Sequence, residues 1–233
     1  MKLLPISFMN CVIGGCESCE LFVIPSESAC PAWTCACGWR LVLLDKNVRE
    51  LPQNKGESYA GSLLVAHPNM LDPNFRRAVL FISAHTSDDG ALGVILNRPL
   101  EKKVSDVVSE APLNALDKVP VFFGGPVGRD RLIFASLEWK TGEGLKLNHD
   151  VDMDEANKQI GKNPGSIRAF IGYAGWGAGQ LEAEMKQNAW VIRKPDRTTM
   201  KLDRLPRLWF DIMNGLGPWF KLLAAAPDDP SLN

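Results

Sequence analysis

A continuous apolar run closed by a tight turn constrains this chain most. Ala78-Val79-Leu80-Phe81-Ile82 leads through Ser87-Asp88-Asp89-Gly90 into a second apolar run at 91–96. A strand solvated on one face alternates apolar with polar side chains, and an unbroken run of this length points to burial on both faces. Two such runs separated by a short Gly-terminated turn read as an antiparallel β-hairpin.

The rest of 62–214 extends that pattern. Further strands are expected at 62–66, 119–123, 131–137, 167–173 and 189–192, with helices at 104–110, 152–160, 179–186 and 206–214. Acidic residues crowd the first turn of the second helix, where the helix dipole favours them. Gly215 stands where the last helix should stop. Strands and helices are mixed but do not alternate strictly. The expected class is therefore α+β, with several coiled, mostly antiparallel sheets flanked by a few helices in one domain, and not a doubly wound parallel sheet.

Composition narrows the function classes. The chain has 233 residues and a formal net charge of -1, so it carries neither an overall basic footprint for nucleic acid nor the acidic surplus of a disordered chain. All six cysteines, Cys11, Cys16, Cys19, Cys30, Cys35 and Cys37, precede residue 38. A disulfide-built domain spreads its cysteines through the core, so the Cys-free body suits a reducing compartment, and the expected location is the cytoplasm. No run of about 18 apolar residues is present to cross a membrane. The first 56 residues read as a foreign, Cys-rich extension and linker or as a start assigned too far upstream, and 224–233 as a disordered tail. Cys16-x-x-Cys19 and Cys35-x-Cys37 could make a zinc site, but the second spacing is wrong for a typical knuckle. No metal and no cofactor is expected.

The chemistry-bearing motifs are few. Gly172 to Gln180 has the shape of a strand, a Gly-rich turn and a helix, which can present backbone N–H groups to an anion. It lacks the Lys-Ser/Thr of a phosphate-binding loop, and Gln180 occupies the position where the dinucleotide fingerprint needs its third glycine. The same glycines could serve only tight turning and packing around Tyr173 and Trp176. Arg98, in Asn97-Arg98-Pro99, could clamp a carboxylate or phosphate, or pair with Asp72 or Glu182 to fix a loop. His67 and His85 flank neighbouring strands but have no third ligand at suitable spacing. His149 sits in a polar loop. Asp72-Pro73-Asn74-Phe75 reads as a structural turn. No Gly-x-Ser-x-Gly elbow or His-Glu-x-x-His helix is present.

Five blocks, taken in order, carry a family resemblance. They are Gly61-Ser62-Leu63-Leu64-Val65-Ala66 with Asp72-Pro73-Asn74-Phe75, then His85 with Gly90-Ala91-Leu92-Gly93-Val94 and Asn97-Arg98-Pro99, then Gly124-Gly125-Pro126-Val127. The fourth runs from Gly172 to Glu182 and on to Asn188-Ala189-Trp190, and the fifth is Trp209 with Leu216-Gly217. Across 57–223 the chain resembles the YqgE/AlgH family of bacterial proteins. The resemblance implies a single cytosolic α+β domain with no established enzyme activity, and a role in transcriptional control that fold alone does not transfer. The family often has a Leu-His pair where this chain reads Ala135-Ser136, so any role of that histidine is in doubt here.

The expected function is that of a non-enzymatic binding or regulatory protein with an unidentified protein or small-molecule partner. The alternatives are a DNA-binding regulator, for which no helix-turn-helix signature is found, and an unrecognised enzyme using a polar cleft. A candidate ligand-binding cleft joins His85, Asn97, Arg98, Gly124, Gly125, Tyr173, Trp176 and Gln180, because strand ends and Gly-rich loops from separated blocks could converge there.

Overall fold

The computed structural model describes residues 58–108, 113–149, 151–163, 165–198 and 200–226. The expected extension 1–56, its six cysteines and the tail beyond 226 lie outside the described residues.

The apolar runs become strands wherever expected. β1 is Leu63–Ala66, β2 Val79–Thr86, β3 Gly90–Ile95, β4 Pro99–Lys103, β5 Pro120–Phe123, β6 Val127–Lys140, β7 Gly144–Asn148, β8 Ile167–Trp176 and β9 Trp190–Arg193. The hairpin of β2 and β3 is antiparallel, with Phe81 opposite Val94 and His85 opposite Ala91. The strand order is β4-β5-β8-β3-β2-β1-β9, and β6 pairs with both β8 and β7. β8 is long enough to serve two parts of the sheet. Its first half lies between β5 and β6, and its last three residues pair with β3. The β5–β8 pairing is parallel and the others are antiparallel. With the helices α1 (Met153–Lys162), α2 (Gln180–Lys186), α3 (Leu208–Gly215) and α4 (Pro218–Ala224), this is an α+β fold.

Burial on both faces explains the unbroken run in β2. Val79 and Phe81 enter one core, which α3 closes with Leu208, Trp209 and Met213. Leu80 and Ile82 enter a second core on the opposite face, with Trp176, Leu181 and Trp190. A third core lies under α1, where Ala156 and Ile160 meet Val121, Ile167 and Ala169. α1 starts where Asp152, expected as the first helical residue, serves instead as the N-cap and accepts the Glu155 N–H at 2.8 Å. Trp209, fully buried, ties α3 to the sheet by donating its indole N–H to the Ala66 carbonyl at 2.7 Å.

Several elements differ from expectation. Within the described part of the helix expected at 104–110 the chain makes one 3-10 turn, Val104–Asp106, with Asp106 accepting the Lys103 N–H. β6 runs far beyond 131–137 because β8 supports its first part and β7 its last. β4, all of whose residues are exposed, gave no apolar signal. Ala224, expected in the tail, is buried at the end of α4.

Candidate functional site

The Gly-rich block builds an aromatic and carboxylate cluster at the junction of β8 and α2. β8 delivers Trp176 to the second core, the chain turns through 177–179, and α2 returns three acceptors to that end. Gln180 accepts the Gly177 N–H at 3.1 Å, and its amide donates to Glu184 Oε1 at 3.0 Å. Glu184 Oε2 accepts both neighbouring indole N–H groups, from Trp176 at 3.0 Å and from Trp190 at 2.7 Å. One carboxylate thus satisfies two buried tryptophans whose rings meet edge-on at 6.2 Å. Phe75 stacks on Trp176 and meets Trp190 edge-on, so the Asp72–Phe75 turn is anchored to the same cluster. Asp72 closes that turn by accepting the Asn74 N–H at 2.7 Å.

His85 lies beside this cluster. It pairs across β3 with Ala91, which pairs with Trp176, so the three side chains share a face. The ring is buried, and Nδ1 accepts the Tyr59 N–H at 3.0 Å. An accepting Nδ1 carries no proton, so Nε2 is the protonated nitrogen and donates to Glu182 Oε1 at 2.9 Å. Ser58 Oγ donates to the His85 carbonyl and the Tyr59 ring lies against the imidazole, 4.8 Å between centroids. The second oxygen of Glu182, Oε2, is buried and receives no donor among the described residues. Burial, reinforced by the Glu182 charge, pushes the Tyr59 phenol above its ordinary value. Among the described residues no three His, Asp or Glu side chains converge as a metal-ligand set.

The other candidates are placed elsewhere. Tyr173 packs with the first core and Trp176 with the second, so β8 sends them to opposite faces. Asn97 is tied into the sheet, accepting the Val79 N–H and donating to the Arg77 carbonyl, each at 2.8 Å. Arg98 donates to the Arg76 carbonyl at 2.9 Å and to the Pro73 carbonyl at 3.3 Å, and so fixes the 72–77 loop through backbone oxygens. Burial lowers its guanidinium pKa, the Asp72 charge opposes that shift, and Arg76 adds to it. Gly124 and Gly125 let the β5–β6 connection lie directly on β8. A Cβ on Gly124 would stand 2.1 Å from the Gly172 carbonyl oxygen, and one on Gly125 2.2 Å from the Tyr173 backbone. Their role in the fold is this close approach. Of the eight residues, the structure brings His85, Trp176 and Gln180 to one cluster and Gly124, Gly125 and Tyr173 to a separate backbone contact.

Three clefts open elsewhere on the surface. One of about 480 Å³ includes Ser136, Trp139, Asn148, Gln159, Lys162 and Arg197 in its wall, with Arg197 lying 5.0 Å over the Trp139 ring. Another, of about 450 Å³, lies between β6 and the start of α1. The third, of about 220 Å³, lies between β9 and α3. None of the eight candidates lines any of them.

Glu182, Glu184, Trp190 and Phe75 belong to the cluster although sequence reading did not assign them to it. The four-residue step from Gln180 to Glu184 was a usable signal, because residues four apart meet on a helix face. A second pairing left no local trace. The extra residue of a β-bulge in β2, Ser83, has its Oγ against His149 Nε2 and 3.1 Å from the Leu92 carbonyl oxygen.

With this geometry in hand, comparison with known proteins decides the family. Residues 63–221 match the AlgH-like family model. The chain belongs to the AlgH-like family. A UPF0301 protein of Streptomyces avermitilis is 37% identical over 189 residues, 76% of this chain and 96% of the relative. A UPF0301 protein of Bacteroides fragilis is 29% identical over 82% of this chain and 99% of the relative. The solution structure of the AlgH protein from Pseudomonas aeruginosa superposes with a TM-score of 0.54 at 30% identity, covering 73% of this chain and 95% of that one. A Corynebacterium diphtheriae protein shares the fold with a TM-score of 0.57 at 22% identity, over 73% and 93% of the two chains. The five glycine- and aromatic-rich blocks of this AlgH-like chain therefore sit on the scaffold that these relatives share.

Proposed function

We propose that this AlgH-like chain is a binding or regulatory protein that works in the cytoplasm and turns over no substrate. The supporting observation is how His85 and Glu184 of the Gly/Trp cluster are used. Both ring nitrogens of His85 and both carboxylate oxygens of Glu184 are engaged by internal partners. Groups so committed stiffen a surface, whereas a general acid or base needs a partner it can exchange with a bound molecule. The Cys-free stretch after residue 37 supports a reducing compartment.

One observation favours an enzymatic reading, the Ser83–His149 contact, since a serine against an imidazole is the first element of nucleophilic catalysis. Against it, a Ser83 proton donated to the Leu92 carbonyl leaves His149 as the donor and not the base. The two readings separate on one assay. The purified chain is incubated with chromogenic acyl and phosphate esters and with a fluorophosphonate probe. The proposed function expects no saturable turnover and no labelling. Turnover or labelling lost in Ser83→Ala, with the fold intact, would make the chain an enzyme.

A further inference from the structure

Among the described residues, the three most exposed large apolar side chains lie on two segments that touch. Leu71 is 75% exposed, Leu222 66% and Trp219 60%, while the other four such residues lie between 36% and 41%. Trp219 and Leu222 stand three apart on α4 and so share its outer face, while Phe220 and Ala224 pack inward on the first core. Leu71 belongs to the turn after His67, and the His67 ring meets Phe220 edge-on at 5.9 Å. Among the described residues nothing covers these side chains, and a gathering of this kind marks an interface. The surface also has a sign. Between residues 201 and 221 four Lys and Arg stand against two Asp, in a chain whose net charge is -1. Lys201, Arg204, Arg207 and Lys221 are exposed and have no carboxylate partner among the described residues. They lie along the helical segment in which the turn at Leu205–Arg207 packs on α3, and α3 on α4.

We propose that this surface docks an acidic segment of a partner protein, with Trp219 and Leu222 as the apolar anchor and the flanking Lys and Arg as the selectivity. The proposal rests on the reading that the chain binds and does not turn over, and it names the partner class. A second copy fits poorly, because a two-fold interface would set this basic face against itself. A lipid surface fits poorly too: α4 has seven residues and its inner face is already used, so too little is left to lie in an interface. Tryptophan is a favoured hot-spot residue, and opposite charge sets partner choice.

The test is selection of a phage-displayed random peptide library on the immobilised full chain, with counter-selection on Trp219→Ala/Leu222→Ala. Both side chains are exposed, and circular dichroism checks that the variant keeps its fold. Enriched peptides are expected to be rich in Asp and Glu with interspersed Leu, Phe or Trp. They should bind at least tenfold more weakly to the double variant and to Arg204→Glu/Lys221→Glu, and weaken as salt rises. They should also move the Trp219 indole N–H resonance. Neutral or basic enriched peptides, or enrichment indifferent to the double variant, would overturn the proposal. So would tighter binding through the same side chains to phosphatidylglycerol vesicles or duplex DNA, or self-association that Trp219→Ala abolishes. Failure here leaves the ester and fluorophosphonate results untouched, and turnover there leaves peptide binding untouched, so the two readings fail separately.

Discussion

Removing the Glu184 carboxylate should unpin both tryptophans of the Gly/Trp cluster at once. Trp176 and Trp190 are 5% and 4% exposed, and each donates its indole N–H to Glu184 Oε2. In Glu184→Ala two buried donors lose the acceptor they have among the described residues. A hydrogen bond to a charged group contributes roughly 1.5–3 kcal/mol, and a buried donor left unsatisfied costs about 1–3 kcal/mol. The two descriptions overlap, so they are not summed. Taking the charged hydrogen-bond term once per indole gives a loss of about 3–6 kcal/mol, a large fraction of a domain's stability. Glu184→Gln separates charge from geometry. Its amide oxygen can still face both indoles, while its NH2 meets the exposed Gln180 amide, which can turn. That variant should lose only about 1–2 kcal/mol, the difference between a charged and a neutral acceptor. Urea unfolding followed by tryptophan emission reads both midpoints at constant slope. In a double-mutant cycle, Trp190→Phe should cost less in the Glu184→Ala background than in the wild type. The reasoning fails if Glu184→Ala unfolds within about 1 kcal/mol of wild type, or if Glu184→Gln matches Ala.

Other perturbations test the rest of the scaffold. Gly125→Ala forces a Cβ to within 2.2 Å of the Tyr173 backbone, so the chain should be recovered unfolded or lose more than about 3 kcal/mol, as measured by urea midpoint. Asn97→Ala strands the Val79 N–H and the Arg77 carbonyl and should cost about 2 kcal/mol by the same assay. Arg168, pushed down to about 10 by burial, donates to the Gly165 and Ile167 carbonyls and has no carboxylate partner among the described residues. Arg168→Met should therefore be within about 1 kcal/mol of wild type at pH 7 or more stable, by thermal midpoint, because an uncompensated buried charge is removed. His67 is held below its ordinary value by burial, so the folded chain binds its proton less readily than the unfolded chain. Its contribution is present above the unfolded pKa, about 6.5, and lost as pH falls from there toward the folded value. Urea midpoints from pH 7.5 to 5 should fall more steeply for wild type than for His67→Asn.

What could be read from the chain in advance divides along the range of the forces involved. Val79 to Ile82 announces a two-sided strand because side-chain alternation is local, and β2 feeds two cores as the run predicts. Asp152 announces α1 because a cap needs only the next three residues. β4 carried no such mark; β7 did, alternating buried Leu145 and Leu147 with exposed neighbours, but over only five residues. β4 is exposed throughout, and β7 holds its place by pairing with the far end of β6. The proposed cleft had the same weakness, since convergence depends on which face of β8 a side chain takes. Gly172, at φ +72, departs from ordinary strand geometry between Phe170, in the first core, and Ala174 and Trp176, in the second. A glycine there reads equally well as a ligand loop or as a switch of face, and only the backbone of Gly125 and Val127 pressing on it decides between them. The aromatic cluster was half legible for the same reason: Trp176 and Gln180 stood in one block, but their common acceptor is the helix residue that also reaches Trp190. A carboxylate whose two oxygens serve three donors from two segments is invisible to any motif confined to one segment. That is why the strongest internal test of this fold falls on Glu184, whose own segment shows only its four-residue step from Gln180 and nothing of its bond to Trp190.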